Sequence, residues 1–335
     1  MPGLRKRGEE IRQFILENIT ENRNFAQLTS QEFEISLPAV YKHIDRLVSD
    51  NKIQKKAGRF ILKSKQYKYV FNINKTLSED AVWEKEIKKH FSGSAQNIWQ
   101  IWIYGFLEIF NNAIEHSKGK KIYVVISDNS IFTSISISDD GIGIFKNIKT
   151  NFNLIDEKEA LLELAKGKRT TDRKRHSGQG IFFTSKIFDT FLINSNGITF
   201  NSIFDNNNIK IEKQKYSTCV YMSLANNSVK KIKDIFNEFS TEIPGDFDKT
   251  VVPILLANSS DLVSRSQARR VLSGLELFKE VTLDFKDIEY IGQAFADEIF
   301  RVFPNMNLNT SISYINANND VINMINRAKN IKISS

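Results

Sequence analysis

The stretch Leu107–Ser117, LEIFNNAIEHS, decides how this chain is read. Its apolar residues recur at the spacing of a buried helix, yet Glu108, Asn111, Asn112, Glu115 and His116 stand among them. Glu108 and Asn112 are four residues apart, so both project from one side of the helix. A neutral amide oxygen suits Mg²⁺, which takes hard oxygen ligands and keeps several waters around phosphates. A carboxylate one turn away can accept a proton from a water attacking a terminal phosphate, or from a substrate hydroxyl. Asn and Glu on a helix are usually two solvated side chains, and taken alone the pair reads that way.

Working outward, DDGIGIF places Asp139 at the end of the strand expected over 130–138, followed by Gly141 and Gly143. A buried aspartate can accept from the exocyclic amine of adenine, and residues without Cβ let backbone approach the ring. The ordinary alternative is a glycine-rich turn. Further on, RHSGQGIFFTSK sets Gly178 and Gly180 immediately before an apolar helix start, which presents free backbone N–H groups to phosphate. The upstream Lys166, Lys168, Arg169, Arg173, Lys174 and Arg175 suit a lid that neutralises a triphosphate, or a basic surface loop.

Taken in this order, the residues resemble the Bergerat-fold ATPases, the GHKL superfamily of gyrase, MutL and histidine kinases. The resemblance covers about 76–228. It implies an α/β sandwich ATPase that binds ATP and Mg²⁺. Glu108 stands at the general-base position and Asn112 at the magnesium position. Asp139 stands at the adenine contact, with Gly141 and Gly143 beside it. Lys168, Ser177, Gly178 and Gly180 match the phosphate-binding segment, and Thr218 in YSTCVYMSL matches a threonine near adenine on the last strand. His90, in KKHFSGS, lacks the following acidic residue and nearby proline of a histidine-kinase phosphoacceptor. The Glu-then-Asn helix looks closer to the anti-sigma-factor serine kinases and to the hydrolysing members.

On either side of this segment the pattern changes. Residues 1–75 read as three short helices and a hairpin. Ile11, Phe14, Ile15 and Ile19 repeat at helical spacing, and a second helix fits around 24–33. Ser36 is an expected N-cap with Pro38 in the first turn, ahead of Val40, Ile44, Leu47 and Val48 on one face and Lys42 and Arg46 on the other. KIQKKAGRFILK then gives two β-prone arms around AGR, carrying Lys55, Lys56 and Arg59. That order is the order of a winged helix-turn-helix, whose third helix enters a major groove while the wing touches phosphates. A solvated basic face on a small interaction domain is the plainer reading.

Residues 240–335 alternate strand and helix as a small βαβαβα unit: VVPILLA, RSQARRVLSGLELF, VTLDF, FADEIFRVF, SISYINA and DVINMINRA. This tail resembles the STAS fold of anti-sigma-factor antagonists. LDFKDIEYIGQAFADEIFRVF looks more narrowly like the STAS-like domain of unknown function fused behind such ATPase domains in bacteria. In the antagonists the turn after the LDF-like strand carries a phosphorylated serine. Here it reads Ile291-Gly292-Gln293-Ala294-Phe295, with no hydroxyl to accept a phosphoryl group. Ser264, Ser266 and Ser273 lie nearby, with an N-cap and helix surface as their ordinary roles.

Bulk properties bound these readings. With 335 residues and 41% hydrophobic content the chain is long enough for two or three cores. Its single cysteine, Cys219, excludes an intrachain disulfide and fits a reducing cytosol. MPGLRKRGEE has no apolar stretch behind its charges, so no signal peptide is expected. IWQIWIYGFLEIF is interrupted by Gln100 and Glu108 and falls short of the roughly 20 residues that cross a bilayer. A soluble, cytoplasmic protein with no membrane contact is expected. The net charge of +8 is uneven: residues 1–75 hold 15 Lys/Arg against 8 Asp/Glu, whereas residues 240–335 hold 10 against 12. A polyanion-facing module joined to a body with other work explains that asymmetry.

The expectation is a multidomain α+β protein with a winged helix at 1–75, a GHKL ATP-binding domain at 76–228 and a STAS-like domain at 240–335. Its leading function is an ATP-gated DNA-binding transcriptional or signalling switch with slow ATPase activity. An anti-sigma-type serine/threonine kinase acting on a separate protein partner is the second reading. A non-enzymatic nucleotide-holding scaffold is the third. A homodimer is compatible with the ATPase resemblance, although no residue specifies an interface.

Overall fold

The computed structural model describes residues 2–19, 24–168, 179–202, 216–243, 246–257 and 262–330. They form a mixed α+β protein. The chain divides into two compact units, Met1–Val70 with Tyr123–Ser136 and Met222–Ser228, and Phe71–Ile122 with Ile137–Tyr221 and Val229–Ser335.

In the first unit, helices α1 (Pro2–Asn18), α2 (Phe25–Glu32) and α3 (Leu37–Ser49) precede a hairpin of β1 (Ile53–Lys56) and β2 (Arg59–Leu62). Ile11, Ile15, Leu16, Ile19, Phe25, Val40, Ile44, Leu47 and Ile53 close one apolar core, with Ile131 packed against it. The Ser36 side chain caps α3 by accepting from the Ala39 N–H at 3.4 Å, and Pro38 follows in the first turn. The hairpin pairs Ile53 with Leu62 and Lys56 with Arg59. Its two-residue loop puts Ala57 at φ +47° and Gly58 at φ +78°, the left-handed pair that matches the twist of flanking strands.

The chain continues through β3 (Lys65–Asn72), α4 (Glu79–Val82), the long helix α5 (Gln96–His116), β4 (Lys121–Asp128), β5 (Phe132–Asp139), α6 (Ile144–Phe152), α7 (Glu159–Lys166), α8 (Gly180–Ile187), β6 (Thr190–Ser195), β7 (Ile198–Asn201), β8 (Thr218–Ala225) and α9 (Ile232–Glu238). One six-stranded sheet has the order β3-β4-β5-β8-β6-β7. The segment 79–91 is an amphipathic helix: α4 runs on through wider and then tighter turns to Phe91, burying Val82, Trp83, Ile87 and Phe91. Those rings meet the inner face of α5. Trp83 stacks on Phe91 at 5.7 Å between centroids, Phe91 on Trp102 at 5.3 Å, and Phe106 on Phe110 at 5.2 Å.

The last part of the second unit alternates β9 (Lys249–Pro253), α10 (Arg265–Leu272), β10 (Glu280–Asp284), α11 (Gln293–Asp297), α12 (Phe303–Met306), β11 (Ser311–Ile315) and α13 (Asn319–Lys329). Its three strands are parallel in the order β11-β10-β9, with Val281 opposite both Thr250 and Ile312. Ser264 and Gln267 make a reciprocal capping box at the start of α10. Among the described residues no helix is long and apolar enough to cross a membrane.

Candidate functional site

A cavity of about 430 Å³ opens along α5, within the size range of small-molecule sites. Tyr104, Glu108, Asn112 and His116, spaced four residues apart, give it one polar stripe of that helix. The rotation of α5 is set by Ile101, Trp102, Phe106 and Phe110, which are buried. Eight residues from Glu108 to His116 span about 12 Å at 1.5 Å per residue, which sets the length of this wall.

Asp139 ends β5 and lines the cavity at 5% exposure. Burial pushes its carboxyl above the ordinary value, while the Gly141 N–H, donating to Oδ1 at 2.9 Å, and the Thr218 hydroxyl pull the other way. Thr218, first residue of β8, also accepts the Ile144 N–H at 3.2 Å and so ties the strand to the start of α6. The neighbouring Asp140 has the opposite task. Burial alone would raise it, but the N–H groups of Lys121 and Lys120 donate to Oδ1 at 2.9 and 2.7 Å and hold it below the usual carboxylate range.

Gly141 and Gly143 do not line the cavity; packing accounts for both. A Cβ on Gly141 would strike the Ser117 carbonyl, with Ser117 Cβ at 2.9 Å, because the Ile142 N–H donates to that carbonyl at 2.9 Å. Gly143 sits at φ +90°, and a Cβ there would meet Ser195 Oγ at 2.7 Å. At the far end of the wall, Gly180 opens α8. A Cβ on it would come within 2.8 Å of Glu108 Cδ, so the Glu108 carboxylate lies against the first turn of α8. The start of a helix carries N–H groups without partners inside the helix and the positive end of its dipole, which favours a carboxylate there.

Two of the basic residues expected to meet phosphate turn elsewhere. Lys168 donates to the Leu277 carbonyl at 2.7 Å and lies 4.7 Å from the Phe278 ring centroid. Lys166 is buried against Glu163 and the end of α10. Ser177, Gly178, Arg169, Arg173, Lys174 and Arg175 lie outside the described residues. The cavity thus gathers Glu108, Asn112, Asp139, Thr218 and Gly180, and leaves Gly141, Gly143 and Lys168 off its wall. Sequence reasoning missed Tyr104, Asn147, Glu163, Gln179 and Phe236. Tyr104 was within reach of it, one turn before Glu108; its hydroxyl is pushed up by burial and then by the Glu108 charge. Phe236 was not, because only the fold brings α9 there, where its ring stacks on Phe183 at 4.0 Å and meets Tyr104 edge-on at 5.8 Å.

In the first unit, Lys42 and Arg46 stand exposed on α3, and Lys55, Lys56 and Arg59 stand exposed on the hairpin. Arg46 pairs with Asp50 at 3.1 Å, and Lys55 lies 5.7 Å from the Phe60 ring.

Comparison with curated proteins finds no match to this chain. A family model described as a STAS-like domain of unknown function (DUF4325) matches residues 267–321, from α10 to the first turns of α13.

Proposed function

We propose that the second unit binds ATP with Mg²⁺ in the manner of the GHKL ATPases, and that the first unit is a winged helix that binds DNA. The chain is then an ATP-gated DNA-binding regulator with slow turnover. The observation that carries this reading is the convergence of Glu108, Asn112, Asp139 and Thr218, from three separate elements, on one cavity of about 430 Å³.

The donor set fits such a ligand. Asp139 offers a buried acceptor to an exocyclic amine, and Thr218 secures its orientation. Roughly 12 Å along α5, the first turn of α8 offers N–H groups to phosphate. Asn112 offers one amide oxygen to a metal ion. Among the described residues no group of three or more His, Cys, Asp or Glu side chains could hold a metal by itself. That suits Mg²⁺, which fills its remaining positions with phosphate oxygens and water. When bound, the ion would spread the charge of the phosphates. Glu108 is placed to take a proton from a nucleophile.

The STAS-like match supports a second reading, phosphoryl transfer to the hydroxyl of a separate protein, since STAS antagonists are partners of the serine kinases this segment resembles. The turn at 291–295 has no hydroxyl of its own for that reaction. Equilibrium binding and turnover of ATP with Mg²⁺, measured separately, test the proposal. Glu108→Ala should keep binding and lose turnover. Normal turnover in that variant would remove Glu108 as the base. Label appearing on a co-purifying protein would favour the kinase over the switch.

A further inference from the structure

The segment Glu159–Lys168 has two sets of neighbours. Glu163, Leu164 and Gly167 line the cavity, while its lysines reach the C-terminal segment. Lys166 is 1% exposed, and its ammonium donates to Glu163 Oε1 at 2.9 Å, the Arg270 carbonyl at 3.0 Å and the Ser273 carbonyl at 2.9 Å. Three donors thus meet three acceptors. Two of those acceptors lie at the end of α10, where carbonyls lack partners within the helix and the dipole favours a cation. Around this clamp the Thr250 hydroxyl donates to the Lys166 carbonyl at 3.0 Å, Lys168 to the Leu277 carbonyl at 2.7 Å, and Arg270 pairs with Glu159 at 2.8 Å.

Glu163 is the part common to both sides. It is 6% exposed, lines the cavity and is the counter-ion of Lys166. A buried ion pair is a poor brace compared with well-packed apolar residues, but breaking it is costly. Placed between a cavity and a helix end, such a pair is suited to sensing charge.

We propose that the Glu163–Lys166 pair couples occupancy of the cavity to the seating of α10 and β9. The proposal rests on the reading of the cavity as a site for an anionic nucleotide. Anionic groups near Glu163 repel its carboxylate in surroundings that screen poorly. Moving the Lys166 ammonium toward the new anion relieves that repulsion and uncaps α10. The ligand therefore favours the unseated arrangement, and by reciprocity an unseated C-terminal segment favours the ligand.

The test uses the full chain, Mg²⁺ and a non-hydrolysable ATP analogue. Hydrogen exchange is read on peptides spanning 265–284, and affinity is read by calorimetry. In the wild type the analogue should speed exchange in 265–284. Lys166→Met should speed it without ligand and remove the response to ligand. Thr250→Val, which removes the bond to the Lys166 carbonyl and so loosens the seat while leaving both side chains of the ion pair in place, should raise affinity about fivefold, within the usual range of coupling; it also carries the test if Lys166→Met fails to fold. Binding that leaves the wild-type exchange pattern unchanged overturns the coupling alone. A Lys166→Met protein that still responds in full overturns it too. Absence of analogue binding in the wild type overturns the cavity reading, and the coupling falls with it.

Discussion

Asp139→Asn separates the ligand role of the carboxylate from its role in the fold. In the wild type the carboxylate accepts from the Gly141 N–H and the Thr218 hydroxyl, and Thr218 Oγ1 accepts from the Ile144 N–H at 3.2 Å. Asparagine can keep the backbone partner satisfied. Its oxygen holds the Gly141 N–H and, with its second lone pair, can also accept from the Thr218 hydroxyl, so that both amide hydrogens are left to the cavity side. The amide NH₂ then stands where the second carboxylate oxygen was, facing the cavity, where an adenine amine would also bring a donor. Binding loses one charge-assisted hydrogen bond, about 1.5–3 kcal/mol, and leaves a buried donor unpaired, about 1–3 kcal/mol. Their sum, about 2.5–6 kcal/mol, weakens ATP binding by about two to four orders of magnitude.

The pH dependence gives an independent check on the same side chain. Burial raises Asp139 above its unfolded value, so its contribution to stability is present below that unfolded value and is lost as pH rises through the raised folded value. At neutral pH without ligand, Asp139→Asn should be at least as stable as the wild type, by thermal or denaturant unfolding. Affinity should move the other way, because adenine needs the ionised form. Wild-type affinity should fall as pH drops through the raised value, and the weak binding of the variant should stay flat. A variant that binds ATP within threefold of the wild type would refute the assignment of Asp139. A variant that loses binding only because it unfolds would refute the account of the Thr218 network.

Gly141→Ala should be unable to fold normally around the Ser117 carbonyl; overpacking against backbone costs about 3 kcal/mol or more, seen as a melting transition lowered by roughly 2–4 °C per kcal/mol. Asp297 is held below the usual carboxylate range first by its hydrogen bond from Arg301, against burial. The stability it contributes is present above its unfolded value, about 3.9, and is lost as pH falls through the depressed folded value. The stability gap between wild type and Asp297→Asn should therefore narrow in that acid window, and a gap that widens there would contradict the Arg301 pairing. For DNA, Lys42→Ala and Lys55→Ala should each reduce the log-log salt slope of affinity by about 0.9, with the double variant losing about twice that. Affinity that ignores salt would remove the winged-helix reading.

Much of the cavity lining was legible because its residues follow secondary-structure periodicity. Glu108 and Asn112 share a stripe once the apolar face of α5 is located, and Asp139 follows a strand whose alternation is plain. The alternating tail was legible for the same reason. Other elements gave weaker signals. α6 starts at Gly143 without a side-chain cap, and α9 has neither a side-chain cap nor a fully buried residue, so neither announces itself. β7 is four residues long and closes on β6 through Asn196 at φ +52° and Gly197 at φ +84°. Within α7, Glu163 and Lys166 are buried together, so a turn that reads as polar contributes to the interior by satisfying its own charges.

Lys166 and Lys168 carry the sharper lesson about charge. Both stand just upstream of a glycine-rich stretch that suits phosphate, and both engage the C-terminal segment instead. A lysine stem is long enough to serve either neighbour, so sequence distance from a phosphate motif does not assign its ammonium. The glycines show the same limit from the opposite direction. The Asp-Asp-Gly-Ile-Gly spacing suits close approach of a ligand, yet the Ser117 carbonyl at Gly141 and the positive φ at Gly143 are sufficient causes of both glycines. A pattern can thus be held by packing at its glycines, while the cavity itself is lined by the two polar side chains beside them, Asp139 and Thr218. It follows that the two kinds of position should fail differently: glycine substitutions through the fold, with binding lost as a consequence, and Asp139→Asn through binding, with the fold intact.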